Sequence, residues 1–142
     1  MRRRKPRLQN SFGDRVVSAS IEDEETFASF LAKHSKHPAQ VRRAAAAVFH
    51  GCAKLHLFLP SGKMVYTVVG RGGDEFIDPF KPFCSCKNFF FRVLDGRNET
   101  CYHLLAYEAA RRFSRFDRIV MHDEEFESFT RLLVHDLIDG ED

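Results

Sequence analysis

Two short pairs of metal-binding side chains constrain this chain more than any other feature. Cys84-Ser85-Cys86 is followed, after a fourteen-residue spacer, by Cys101-Tyr102-His103. Thiolate sulfur and imidazole nitrogen are the ligands Zn²⁺ prefers, and Cys₃His is one of the closed four-ligand sets of structural zinc sites. One-residue spacing lets each pair offer both its ligands from a strand end or from the first turn of a helix. The spacer must fold back to bring the pairs together. Three thiolates and a neutral imidazole complete a tetrahedron and leave no position for water, which argues for a structural ion over a catalytic one. The expected set is therefore Cys84, Cys86, Cys101 and His103 around one structural Zn²⁺.

Cys84 and Cys86 are too close in sequence to pair well with each other, and the ligand spacing favours reduced thiols in an intracellular setting over two disulfides. Cys52, the fourth cysteine, stands apart and reads as a buried apolar thiol. The remaining histidines are scattered and read as surface or satisfied core residues.

The 142 residues suffice for one domain with a real core. Apolar residues at 44% and charged residues at 30% give the balance of a globular protein. No stretch approaches the roughly 20 apolar residues of a membrane helix, and no apolar secretory segment follows the basic start, so the chain is expected inside the cell. The net charge of +2 hides an asymmetry. Residues 1–20 carry six basic groups against one acid, residues 33–122 fifteen against seven, and the last twenty residues eight acids against Arg131. A basic centre around the ligands suits a polyanionic partner.

Residues 1–20 show no apolar periodicity and read as a basic flexible tail, with a phosphate-neutralising arm or a nuclear-targeting patch as the functional alternative. Residues 21–142 read as a single α+β domain. Ser20 is the expected N-cap of a first helix carrying Phe27, Phe30 and Leu31, with Asp23 at its third position. Pro38 separates it from a second helix over about Ala39 to His50, ended by Gly51. Alternating Leu55, Leu57 and Leu59 then predict a strand, Pro60-Ser61-Gly62-Lys63 a turn, and Met64 to Val69 the returning strand. Gly70-Arg71-Gly72-Gly73 is a second turn before a short strand at Glu75–Asp78. The result is a three-stranded antiparallel sheet delivering the first ligand pair. Lys87 to Leu94 is expected to be a short helix, Cys101 to about Phe116 a longer one, and Asp123 to Ile138 the last. That last helix has more apolar surface than one stripe needs. The surplus is expected to pack against the N-terminal helices, with partner docking as the alternative.

Cys-x-Cys, a spacer and Cys-x-His, preceded by strands and followed by a helix, resemble the SWIM zinc finger, a ββα module that here would span about residues 65–112. The ending Cys101-Tyr102-His103-Leu104-Leu105-Ala106 is similar to the Cys-x-His-x-x-Ala of the small single-SWIM subunit of Shu-type complexes. The resemblance runs from about Ala45 to Arg111. It implies that Cys84, Cys86, Cys101 and His103 hold zinc and that Ala106 lies beneath the metal-bearing turn. It further implies pairing with a paralogue of the RecA-family recombinase, which supports homologous recombination and DNA repair by favouring filament assembly on single-stranded DNA. The setting would be cytoplasmic in an archaeon and nuclear in a eukaryote.

Lys87, Arg92, Arg97, Arg111, Arg112, Arg115 and Arg118, with Lys81, are the candidate nucleic-acid or partner surface. Arg111, Arg115 and Arg118 are expected on one face of the helix after Cys101. Phe83, Phe89–Phe91 and Tyr102 are available to stack on unpaired bases, but fifteen phenylalanines and no tryptophan place most Phe side chains in the core. No base-reading motif is present, so DNA binding would be sequence-independent and salt-dependent. No phosphate-binding glycine loop precedes a helix and no nucleophile–base spacing stands out, so the chain reads as a non-enzyme without a small-molecule substrate. The competing readings are a stand-alone nucleic-acid-binding or regulatory finger and a protein-interaction finger of another assembly.

Overall fold

A computed structural model describes residues 23–94, 96 and 100–139. The N-terminal tail, Ser20 and Arg97 lie outside the described residues, as do the side chains of Phe90 and Arg92. Within the described residues the fold is α+β, with four α-helices and a five-stranded sheet.

Helix α1 spans Glu24–Leu31 and α2 spans Pro38–Phe49. Asp23 caps α1, its Oδ1 accepting the Thr26 N–H at 2.9 Å, so it stands outside the helix and not at the third helical position. Pro38 begins α2 at a position where its missing N–H costs nothing. Strands β1 (Ala53–Leu59), β2 (Lys63–Gly70) and β3 (Gly73–Asp78) form the expected antiparallel meander. Gly62 sits at φ 84°, a left-handed backbone that the first hairpin turn requires and glycine supplies without strain.

Two further strands enlarge the predicted three-stranded sheet. The two-residue β4 (Phe83–Cys84) pairs with β3, and β5 (Asp117–His122) runs parallel to β1, giving the order β4-β3-β2-β1-β5. β5 follows α3 (Tyr102–Phe113), which stops at Ser114 in the left-handed conformation, φ 55°. The Arg115 N–H bonds back to the Ala110 carbonyl at 2.8 Å and the chain turns into the sheet. Arg118 therefore lies on an edge strand and not on the helical face shared with Arg111 and Arg115. A Lys54–Asp117 ion pair of 2.8 Å joins the first residues in register between β1 and β5.

Alternation along the strands divides the core between two faces. Ala53, Val68 and Ile77 meet Phe27 and Leu31 of α1, Val41, Ala44, Ala45 and Val48 of α2, and Leu105, Ala106 and Ala109 of α3. Alanines at the α2–α3 contact keep that crossing close. On the opposite face, buried His56, Thr67 and Phe58 meet α4 (Phe126–Asp139), where the Phe58 ring lies 5.0 Å from Phe126 and 5.4 Å from Phe129. Phe126 and Phe129 of α4 thus cover the second face of the sheet, opposite the face covered by the N-terminal helices that are expected from sequence to take its surplus apolar surface. Ser61 in the hairpin turn bonds Asp123 through both its hydroxyl, 2.7 Å, and its N–H, 3.0 Å, which anchors the chain ahead of α4. No helix among the described residues is long and apolar enough to cross a membrane.

Candidate metal centre

Each ligand pair is positioned where one element gives way to another. Cys84 ends β4, opposite Ile77 of β3. Ser85 fixes the knuckle that follows: its N–H donates to the Phe76 carbonyl at 3.1 Å, and its Oγ accepts the Phe76 N–H at 2.9 Å and donates to Glu75 at 2.8 Å. Cys86 comes next, and its Sγ accepts the Phe89 N–H at 3.3 Å, a bond that favours the thiolate. Phe89 begins a π-helical turn, Phe89–Val93, in place of the short α-helix expected there. Phe89 is buried with its ring 5.3 Å from Phe83, so these two aromatics serve packing, whereas Phe91 is exposed.

Cys101 is the N-cap residue of α3 and His103 lies in its first turn, as the spacing predicts. Gln40 of α2 donates to the Thr100 carbonyl at 3.1 Å and so holds the chain just ahead of Cys101. The three sulfurs and one His103 nitrogen lie within 4.8 Å of one another, and all four residues are buried. Zinc–thiolate bonds of about 2.3 Å in a tetrahedron separate sulfurs by roughly 3.8 Å, so the four donors can close on a single ion.

Three observations fit these residues to a metal. All four cysteines are free of disulfides. Both ring nitrogens of His103 are buried without a hydrogen-bond partner among the described residues. A buried imidazole without any partner carries a desolvation cost that ligation would remove. The thiols also crowd one another. Hydrogen bonds to Cys101 and Cys86, with burial, push the Cys84 thiol up. For Cys101 a bond from Cys84 works downward, yet its bond to Cys86 and burial prevail and push it up to about 12. Hydrogen bonds from Cys101 and Cys84 draw Cys86 down instead. A cluster of this kind yields one thiolate readily and three only when a cation compensates their charge. The structure thus brings together Cys84, Cys86, Cys101 and His103 as one metal-ion site.

Among the described residues, the basic residues named from sequence take different positions around it. Arg111 and Arg112 are exposed at the far end of α3, where Arg111 pairs with Glu108 at 3.3 Å and Arg112 lies over the Phe113 ring. Arg115 lies 5.0 Å over Phe27, at the edge of the core. Lys87 is exposed beside the ligands, in a half-open cleft of about 720 Å³ that borders Cys86 and His103. Arg43 of α2 and Arg71 in the β2–β3 turn line the same cleft, and neither stands out in the sequence because each acquires its position through long-range packing. Cys52 lines it too and is only partly buried, so it is not the core thiol expected. Gly70, read from sequence as a turn residue, lies directly against His103.

No family model matches the chain, and neither does any curated protein or solved structure.

Proposed function

We propose that the chain is a non-catalytic, zinc-stapled SWIM-type adaptor. In this reading it pairs with a RecA-family recombinase paralogue and supports homologous recombination by promoting filament assembly on single-stranded DNA. The observation that carries the proposal is the buried Cys₃His cluster, with Cys84 closing a strand that pairs with β3 and with Cys101 and His103 opening α3. Ala106, the last position of the Cys-x-His-x-x-Ala pattern, is fully buried about one turn past His103, where a larger side chain would displace α3 from the sheet. Zn²⁺ at this site would couple metal binding to folding, because the four ligands come from separate elements.

Closed coordination gives the ion a scaffolding role. The partner would then supply any nucleotide hydrolysis. Affinity purification of the tagged full chain from its own cells, followed by mass spectrometry, tests the proposal. A RecA-fold ATPase recovered at near-stoichiometric yield, and lost on Cys101→Ser, is the expected result. Recovery of a monodisperse, zinc-loaded chain with no such partner would overturn it.

A further inference from the structure

We infer that the cleft bordering the metal centre is a phosphodiester-binding groove for single-stranded nucleic acid, built by Arg43 and Arg71. This deepens the proposed function by locating the strand contact on this chain, and it does not require the recombinase partner.

The charge of the cleft carries the inference. Arg43, Arg71, Lys87 and His50 line it against one acid, Glu75, whose carboxylate accepts the Ser85 hydroxyl at 2.8 Å. Neither Arg43 nor Arg71 makes an ion pair among the described residues. The Arg43 guanidinium is laid over the Tyr102 ring, 5.1 Å from its centroid. A cation held over a ring face by the ring quadrupole is restrained, and its N–H groups still offer the two-pronged contact that phosphate oxygens accept. Arg71 lines the cleft from the two-residue turn between β2 and β3.

Size and openness select the ligand. The cleft volume of about 720 Å³ falls within the roughly 300–1,000 Å³ of small-ligand sites. The cleft is half-open, so a ligand longer than one nucleotide can extend out of it. The proposed function acts on single-stranded DNA, which commits the groove to that polymer. The contacts available are to phosphate, so binding should be indifferent to base sequence.

The test uses the full chain, zinc-loaded, in anisotropy titrations with a fluorescein-labelled oligo(dT) at two salt concentrations. The Arg43→Ala/Arg71→Ala double variant should bind at least tenfold more weakly. Its slope of log affinity against log salt should be shallower by about 1.4, the share of two phosphates on a single strand. Arg43→Lys, which keeps the charge and loses the planar fork, should lie between the two. Zinc content and melting temperature of each variant verify that the fold is intact. Absence of wild-type binding at low salt overturns the inference. So does a loss carried by Arg111→Ala/Arg112→Ala in its place, or complete displacement of the oligonucleotide by an equimolar free nucleotide. Partner recovery by the wild type keeps the two proposals apart. A wild type that recovers the partner while the double variant binds the strand unchanged refutes the groove alone. A wild type that recovers no partner while the variants show the expected binding defect refutes the adaptor alone.

Discussion

A Cβ atom added to Gly70 would lie 2.6 Å from Nε2 of His103 and 3.0 Å from the Tyr102 hydroxyl. The last residue of β2 and the second residue of α3 therefore share space that only hydrogen leaves open. Gly70→Ala should displace the imidazole, cost about 1–3 kcal/mol by overpacking and weaken metal retention. Thermal melts with and without a chelator check this, and a variant that keeps wild-type melting and metal content would contradict it.

Removal of a ligand has a different signature. Cys101→Ser and His103→Ala should each bind less than one equivalent of Zn²⁺, and chelation of the wild type should unfold the region that joins β4 to α3. Apparent zinc contributions of about 10–16 kcal/mol in finger peptides exceed the total stability of many small domains. Elemental analysis together with circular dichroism provides the measurement. One equivalent retained by both variants would rule out the four-ligand site.

On the far face of the sheet, His56 is buried, with Nε2 and the Thr67 hydroxyl 3.0 Å apart and Phe129 4.6 Å from its ring. Burial, aided by the Lys54 charge, lowers its pKa from 6.5 to about 4, with Asp117 opposing. The unfolded chain takes up this proton as pH falls below 6.5, while the folded chain resists until about 4. Stability is therefore fully present above 6.5 and declines across that window. With allowance for screening, the loss between pH 7.5 and pH 5 should be on the order of 1–2 kcal/mol. Urea denaturation at both pH values should show a smaller decline for the His56→Leu/Thr67→Val variant, which has nothing to protonate there. Equal declines would remove His56 as the cause.

Phe129 distinguishes the two uses of α4. Its ring packs on Phe58 as well as His56. Phe129→Ala should destabilise the isolated protein by about 2–3 kcal/mol in urea denaturation. Leu132, by contrast, is 68% exposed. Leu132→Ala should therefore change stability by only about 0.5 kcal/mol at most. The reverse ranking would mean that α4 does not cover the sheet in solution.

Local features of the chain announce much of this architecture. Pro38 and Gly51 bracket α2, alternating leucines and the Pro60-Ser61-Gly62 turn mark the first hairpin, and ligand spacing identifies all four donors, because each of these signals lies within a few neighbouring residues. Tertiary structure decided the rest. Asp117–His122 has three consecutive apolar residues and no clean alternation, and it becomes a strand because β1 offers a parallel edge more than sixty residues earlier in the chain. Ser114 ends α3 in a left-handed conformation without the glycine that usually signals it. The destination of α4 depended on which sheet face the other helices left open. The cleft, too, belongs to this second kind: Arg43, Arg71 and His103 come from three elements, and only the closing of the sheet against α2 and α3 sets them around one space.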